Sequence, residues 1–176
     1  CVANMRRVKG AHVLLEAMRS IPRDRNLHAV FIGNVRDDEV RRLQRDPALE
    51  GRIHFTGFRT DATRLMARFS VVVMPSLERE GLPKAVVEAM AQGVPAVVSR
   101  VGGLPELVED GVSGLVIPPA QPAPLAAALL RLSGDEALRA RMGAAARERI
   151  DRVFNIRHTI AQTIELYQRL VAAAAG

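Results

Sequence analysis

Residues 71–98 read Val71-Val72-Val73-Met74-Pro75-Ser76-Leu77-Glu78-Arg79-Glu80-Gly81-Leu82-Pro83-Lys84-Ala85-Val86-Val87-Glu88-Ala89-Met90-Ala91-Gln92-Gly93-Val94-Pro95-Ala96-Val97-Val98. The opening run is apolar at every position, which predicts a strand buried on both faces rather than one with a wet side. Pro75-Ser76 ends it, and a charged loop follows. Pro83 suits the first position of a helix and Gly93 suits its stop, so residues 83–92 predict a helix. Val94-Pro95 then leads into a second wholly apolar run. Strand, helix and strand in this order form a parallel crossover unit, and a parallel sheet needs helices on both faces.

The same alternation extends in both directions. Leu27–Ile32, Arg52–Phe55 and Leu115–Ile117 predict further strands, with Cys1–Met5 as a sixth, truncated one. Helical periodicity is read over 10–20, where Val13, Leu14, Ala17 and Met18 share a face, and over 37–46 and 61–68. Beyond the last strand, residues 122–132, 135–150 and 156–174 predict three helices with no strand between them. The expectation is an α/β fold: a doubly wound, Rossmann-like parallel sheet of about six strands with C-terminal helices, binding ligands outside the carboxyl ends of its strands. No internal repeat or low-complexity linker divides residues 1–176, which read as a single domain. Cys1-Val2-Ala3 reads as the middle of a strand, so the chain is expected to be a fragment. The helix at 156–174, running into Leu170-Val171-Ala172, is expected to pack toward a part of the protein outside this sequence.

Composition narrows the function classes. The chain has 176 residues, 48% hydrophobic and 25% charged, with a net charge of +6. Such apolar content excludes a disordered chain, and a single cysteine excludes a disulfide scaffold and a thiolate zinc site. The four histidines (12, 28, 54 and 158) are scattered and read as structural or solvent residues. No apolar run approaches the ~20 residues of a membrane span, and the composition is that of a reduced, cytoplasmic protein. The positive charge raises a nucleic-acid reading, but the arginines are interleaved with acids, as in 36–42. Aromatics make up only 3% with no Trp, so stacking platforms for single strands are nearly absent.

The common α/β signatures are also missing. No GxGxxG follows a strand, no GxxxxGK[ST] loop occurs, and Gly111-Val112-Ser113-Gly114 lacks the spacing of a nucleophile elbow. Two acids in the central stretch need a reason. Glu88 lies among Ala85, Val86, Val87, Ala89, Met90 and Ala91, where a carboxylate is costly without a partner. Its oxygens can accept both hydroxyls of a ribose diol, or it can form an i,i+4 pair with Lys84 worth about 0.3–0.5 kcal/mol. Glu80 stands where strand passes to helix and free N–H groups accumulate. With Gly81 beside it, it reads as a sugar-hydroxyl ligand or a solvated loop acid. Glu78 reads as solvated, and Met74 and Met90 as core.

The stretch resembles the donor-binding, carboxyl-terminal domain of glycosyltransferase family 4, the retaining nucleotide-sugar transferases of GT-B fold. The resemblance rests on Pro75-Ser76, the pair Glu80 and Glu88 with seven residues between them, Glu88-Ala89-Met90-Ala91-Gln92-Gly93-Val94-Pro95, Gly102-Gly103-Leu104-Pro105-Glu106 and Asp110-Gly111-Val112-Ser113-Gly114. It extends to Lys9-Gly10 and to Phe55-Thr56-Gly57-Phe58, and so spans the chain. It implies Glu88 as the ribose ligand, Glu80 as a sugar or catalytic-loop ligand, and Lys9 as the cation on the leaving diphosphate. It implies that Gly81, Leu82, Pro83, Lys84, Gly102 and Gly103 face the donor and that Phe58 lies beside the nucleobase. Where many members carry Gly-Arg, this chain has Asn4, so Arg6 or Arg7 is expected to supply that cation. The implied partners are a UDP- or GDP-sugar, a missing N-terminal acceptor domain and a glycolipid or polysaccharide acceptor, with no nucleic acid. No metal and no cofactor are implied, and the place is cytoplasmic, at the inner face of the membrane through the missing domain. The second reading is a non-catalytic nucleotide-binding or regulatory domain of the same fold.

Overall fold

The fold is described from a computed structural model, which covers residues 1–174. Five short parallel strands form: β1 (Ala29–Ile32), β2 (Ile53–Gly57), β3 (Val72–Met74), β4 (Ala96–Ser99) and β5 (Gly114–Ile117). The helices are α1 (Ala11–Ser20), α2 (Asp38–Leu43), α3 (Ala62–Met66), α4 (Lys84–Ala91), α5 (Leu104–Leu107), α6 (Pro122–Gly134), α7 (Glu136–Val153) and α8 (Ile156–Ala174). Of these, only α5 falls outside the predicted set. It is a single turn with Pro105 near its start, too short to show a period.

The expected single sheet of six strands is not formed. β1 pairs with β2, and β3, β4 and β5 form a separate sheet in that order, both sheets parallel. The segment Cys1–Met5 does run parallel beside β1, but it makes only isolated bridges, Val2 to Ile32 and Met5 to Val35. Its hydrogen bonds go to that side, among them Ile32 N–H to the Cys1 carbonyl and Ala3 N–H to the Ile32 carbonyl. Toward β3 a cleft of about 520 Å³ opens, lined by Cys1, Leu14, Val71, Val73 and Leu129 among others. The segment therefore pairs on the β1 side only.

Two-sided burial explains the apolar strands. All residues of β3, β4 and β5 are buried. Val73, Val97, Leu115 and Ile117 belong to one core with Leu14, Leu15 and Met18 of α1 and Leu125 and Leu129 of α6. Their neighbours Met74, Ala96, Val98 and Val116 belong to a second core with Val86 and Met90 of α4, Leu104 of α5 and Ala146 and Ile150 of α7. Alternate residues along each strand thus feed opposite helical layers, which is the doubly wound arrangement. α8 departs from this economy. Ile156, Ile160, Ile164, Tyr167 and Val171 recur at helical spacing, and each is at least half exposed. No helix among the described residues is long and apolar enough to cross a membrane.

α7 closes the second layer by resting on the end of α4. A Cβ built on Gly143 would sit 2.0 Å from the Gly93 carbonyl oxygen, so the two backbones touch with no room for a methyl group. Gly143→Ala gains helix propensity of up to ~1 kcal/mol but must push two helices apart. We expect a net loss of about 1–3 kcal/mol in urea unfolding. Gly134→Ala, where a Cβ meets nothing within 4 Å, is expected to be neutral or slightly stabilising in the same measurement.

Candidate functional site

Three loops converge at the carboxyl ends of the strands. The first is the 3-10 turn Arg7–Lys9 with Gly10, whose φ of 65° places it in the left-handed region. That turn lies on the end of β3: a Cβ at Gly10 would stand 1.9 Å from the Pro75 carbonyl oxygen, and Leu77 N–H donates to the Val8 carbonyl at 2.8 Å. The second is the loop 77–83, leading from β3 into α4. The third contains Gly102 and Gly103 after β4. Gly103 N–H donates to the Glu80 carbonyl at 2.8 Å, and a Cβ on Gly102, at φ 52°, would stand 2.1 Å from that same oxygen. Only glycine permits this approach at this φ. Ser76 lies beneath the loops, fully buried.

The convergence joins Lys9 to Glu80. The Lys9 Nζ and Glu80 Oε1 atoms are in direct ion-pair contact across 71 positions of sequence, with side chains 21% and 12% exposed. An ammonium and a carboxylate this enclosed interact more strongly than a surface pair, and each keeps some exposure to solvent. Behind the turn, His12 of α1 and Asp37, the N-cap of α2, form a buried pair with Nδ1 and Oδ2 3.2 Å apart. Asp37 also accepts from Glu39 N–H. This pair anchors the start of α1 directly after Lys9-Gly10. His12 reads from the sequence as a structural or solvent residue and is structural here, whereas no sequence signal marks Asp37 as its partner.

Glu88 lies farther along α4, its side chain 28% exposed. Both readings of its partner meet here. Lys84 Nζ is 3.4 Å from Oε1, the i,i+4 pair, but Lys84 is itself 88% exposed, so this contact does little to hold the carboxylate. The closer partner is Thr63 of α3, whose hydroxyl donates to Oε2 at 2.8 Å. No sequence pattern marks Thr63, because α3 and α4 meet only in the fold.

The remaining predicted residues lie along this edge with looser definition. Gly81 and Leu82 are exposed, and Pro83 is half-buried and caps α4 with its carbonyl, accepting from Val86 and Val87. Arg6 and Arg7 are exposed, and among the described residues neither has a carboxylate within ion-pair distance. Phe58 is 72% exposed on the loop after β2. Beside it Arg59 donates twice to Asp61, at 2.7 Å to each oxygen, and holds that carboxyl below the usual range. Glu78 is exposed, and Met74 and Met90 are core. Of the histidines, His28 and His54 are exposed and in mutual contact, while the side chain of His158 lies outside the described residues. Among the described residues no group of three or more His, Cys, Asp or Glu is placed to hold a metal ion.

Parallel strands packed between helical layers, with glycine-containing loops gathered at their carboxyl ends, define a Rossmann-like α/β fold. The family model "Glycosyl transferases group 1" matches residues 1–135, and the chain belongs to that family. It is 34% identical to the amylovoran biosynthesis glycosyltransferase AmsK of Erwinia amylovora, over 96% of this chain and 44% of that protein. The chain thus spans less than half the length of that relative. The crystal structure of Anabaena HepE in complex with UDP-glucose superposes with a TM-score of 0.78 at 29% identity, over 93% of this chain and 47% of that one. The C-terminal domain of the group 1 protein LpcC from Francisella tularensis shares the fold, with a TM-score of 0.78 at 24% identity, over 88% of this chain and 85% of that domain.

The glycine contact generates a stability prediction. Gly102→Ala adds a Cβ at positive φ against the Glu80 carbonyl, so the loop carrying Glu80 must move away from Lys9. A cost of about 1–3 kcal/mol is expected in denaturant unfolding. Gly111→Ala shares the positive φ but meets nothing within 4 Å, and is expected to cost less.

Proposed function

We propose that this chain is the donor-binding half of a glycosyltransferase that moves a sugar from a nucleoside diphosphate sugar to an acceptor hydroxyl with retention, without a metal ion. The observation carrying this reading is the meeting of Lys9 and Glu80 at the carboxyl edge, with Glu88 on the helix that the Glu80 loop opens. In this reading a diphosphate lies over the Lys9-Gly10 turn, the sugar lies at Glu80, and the ribose diol lies on Glu88. Arg6 or Arg7 adds a second cation to the phosphates. Gly81, Leu82, Pro83, Lys84, Gly102 and Gly103 line the donor, and Phe58 borders the base. UDP is the favoured nucleotide, supported by the UDP-glucose bound to HepE at 29% identity.

The chemistry follows from charge. As the bond from the anomeric carbon to the diphosphate oxygen breaks, negative charge grows on the leaving group, and Lys9 with a nearby arginine stabilises it. Preorganised charge of this kind is commonly the largest catalytic term. The acceptor hydroxyl attacks from the face that the diphosphate leaves and passes its proton to a phosphate oxygen, so no carboxylate nucleophile is required. In this reading the acceptor, a glycolipid or polysaccharide, is held by an N-terminal domain outside this sequence, against which the exposed apolar stripe of α8 packs. The names of the relatives, AmsK in amylovoran biosynthesis and LpsE of Rhizobium meliloti in lipopolysaccharide core biosynthesis, support that acceptor class. In this reading the chain acts in the cytoplasm, at the inner face of the membrane through that N-terminal domain.

Calorimetry tests the donor reading. Glu88→Gln is expected to weaken UDP binding by about 1–3 kcal/mol, the scale of a charged hydrogen bond. Unchanged affinity in a folded variant contradicts the ribose role. Lys9→Ala is expected to remove most of the advantage of UDP over uridine, an advantage that should itself shrink with added salt.

Transfer tests the domain reading. Because positioning requires the acceptor oxygen within about 3–3.5 Å of the reacting carbon, the isolated chain should bind donor, raise its Tm with ligand concentration, and transfer nothing. Chelator should leave the Tm shift intact. Robust acceptor-dependent transfer by the isolated chain contradicts the reading.

A further inference from the structure

Glu88 is useful to a vicinal diol only if its carboxylate is held in one orientation. A glutamate has three side-chain torsions, and fixing them costs up to about 2 kcal/mol when binding itself must do it. The structure shows that constraint already in place. Thr63 Oγ1 donates to Glu88 Oε2 at 2.8 Å, across the contact between α3 and α4. Gln92 reinforces the same contact from the backbone side, its Nε2 donating to the Thr63 carbonyl at 3.1 Å and the Glu88 carbonyl at 3.0 Å. At the same, N-terminal end of α3, the doubly bonded Arg59–Asp61 pair ties down the residues that lead into it. A carboxylate offers about four lone-pair sites, so one taken by Thr63 leaves room for two ribose hydroxyls.

We propose that Thr63 is a positioning residue, presetting the Glu88 carboxylate for the vicinal diol of the nucleotide ribose. The inference rests on the reading of Glu88 as the ribose ligand. Thr63 does not touch the reacting atoms, and its contribution belongs to the diol alone. Lys84 cannot substitute for it: an ammonium at 3.4 Å on an 88% exposed side chain supplies charge without direction. Thr63 itself is exposed, so its substitution does not open the core.

The test is calorimetric titration of the chain with UDP and with 2′,3′-dideoxyuridine diphosphate, which lacks both hydroxyls. The unsubstituted chain is expected to prefer UDP, and Glu88→Gln to lose that preference. Thr63→Val keeps the shape and removes the donor. It is expected to weaken UDP about three- to tenfold while leaving the dideoxy compound unchanged. Thr63→Ser, which restores a hydroxyl, should bind both as the unsubstituted chain does. A Thr63→Val chain that keeps the full preference for UDP, while Glu88→Gln loses it, overturns the role of Thr63 and leaves the ribose reading standing. Equal weakening of both ligands by Thr63→Val also overturns it, since that marks a purely structural loss. Absence of any preference in the unsubstituted chain, or its survival in Glu88→Gln, overturns the ribose reading and this inference with it.

Discussion

Backbone meets backbone at two glycines, and the candidate site depends on it. Gly10 lies against the Pro75 carbonyl and Gly102 against that of Glu80, each too close for a Cβ. These contacts bring the turn after the first segment, the loop after β3 and the loop after β4 into one place. A side chain at either glycine would collide with that carbonyl, so the loops would have to shift apart. The helical layers serve the same end. They are packed on both faces of β3–β5, so the strand ends, and the loops they carry, have little freedom to shift.

The electrostatic layout is economical. Lys9 and Glu80 neutralise each other, which keeps an enclosed ammonium and an enclosed carboxylate from standing alone. In the proposed function, a diphosphate at Lys9 would compete for that ammonium and leave Glu80 free to accept hydrogen bonds from sugar hydroxyls. Meanwhile the buried His12–Asp37 pair lies outside this exchange and fixes the helix from which the turn projects. Arginines 6 and 7, exposed and without a carboxylate in ion-pair distance among the described residues, add positive potential at the rim, where salt screening is strongest.

The contrast between α7 and α8 shows how the fold ends. α7 buries Leu138, Met142, Ala146 and Ile150 against the sheet layers. α8 has an equally regular apolar stripe, yet its side chains remain exposed among the described residues. Apolar residues at helical spacing therefore signal an amphipathic helix reliably, but they do not say what lies on the apolar side.

How much was legible depended on the range of the interaction. Wholly apolar runs at 71–74, 96–98 and 115–117 announced strands buried on both faces, because period and composition are local properties. Pro83 and Gly93 marked the ends of α4 for the same reason. Glu88 could be suspected as soon as its apolar neighbours were read, since an unpartnered carboxylate there carries a cost. The division into two sheets was not legible: it turns on whether Cys1–Met5 pairs on one side or both, which depends on packing against β1 and β3. Nor was the partner of Glu88. Lys84 is the neighbour that helical spacing supplies, whereas Thr63, 25 positions away, reaches it only because α3 and α4 pack together. By itself the sequence determined which segments become strands and helices and which acids need a partner, because those follow from neighbours along the chain. The tertiary structure alone decided which loops meet at Lys9 and Glu80 and which hydroxyl orients Glu88, because those contacts join residues that only folding brings within a few ångströms.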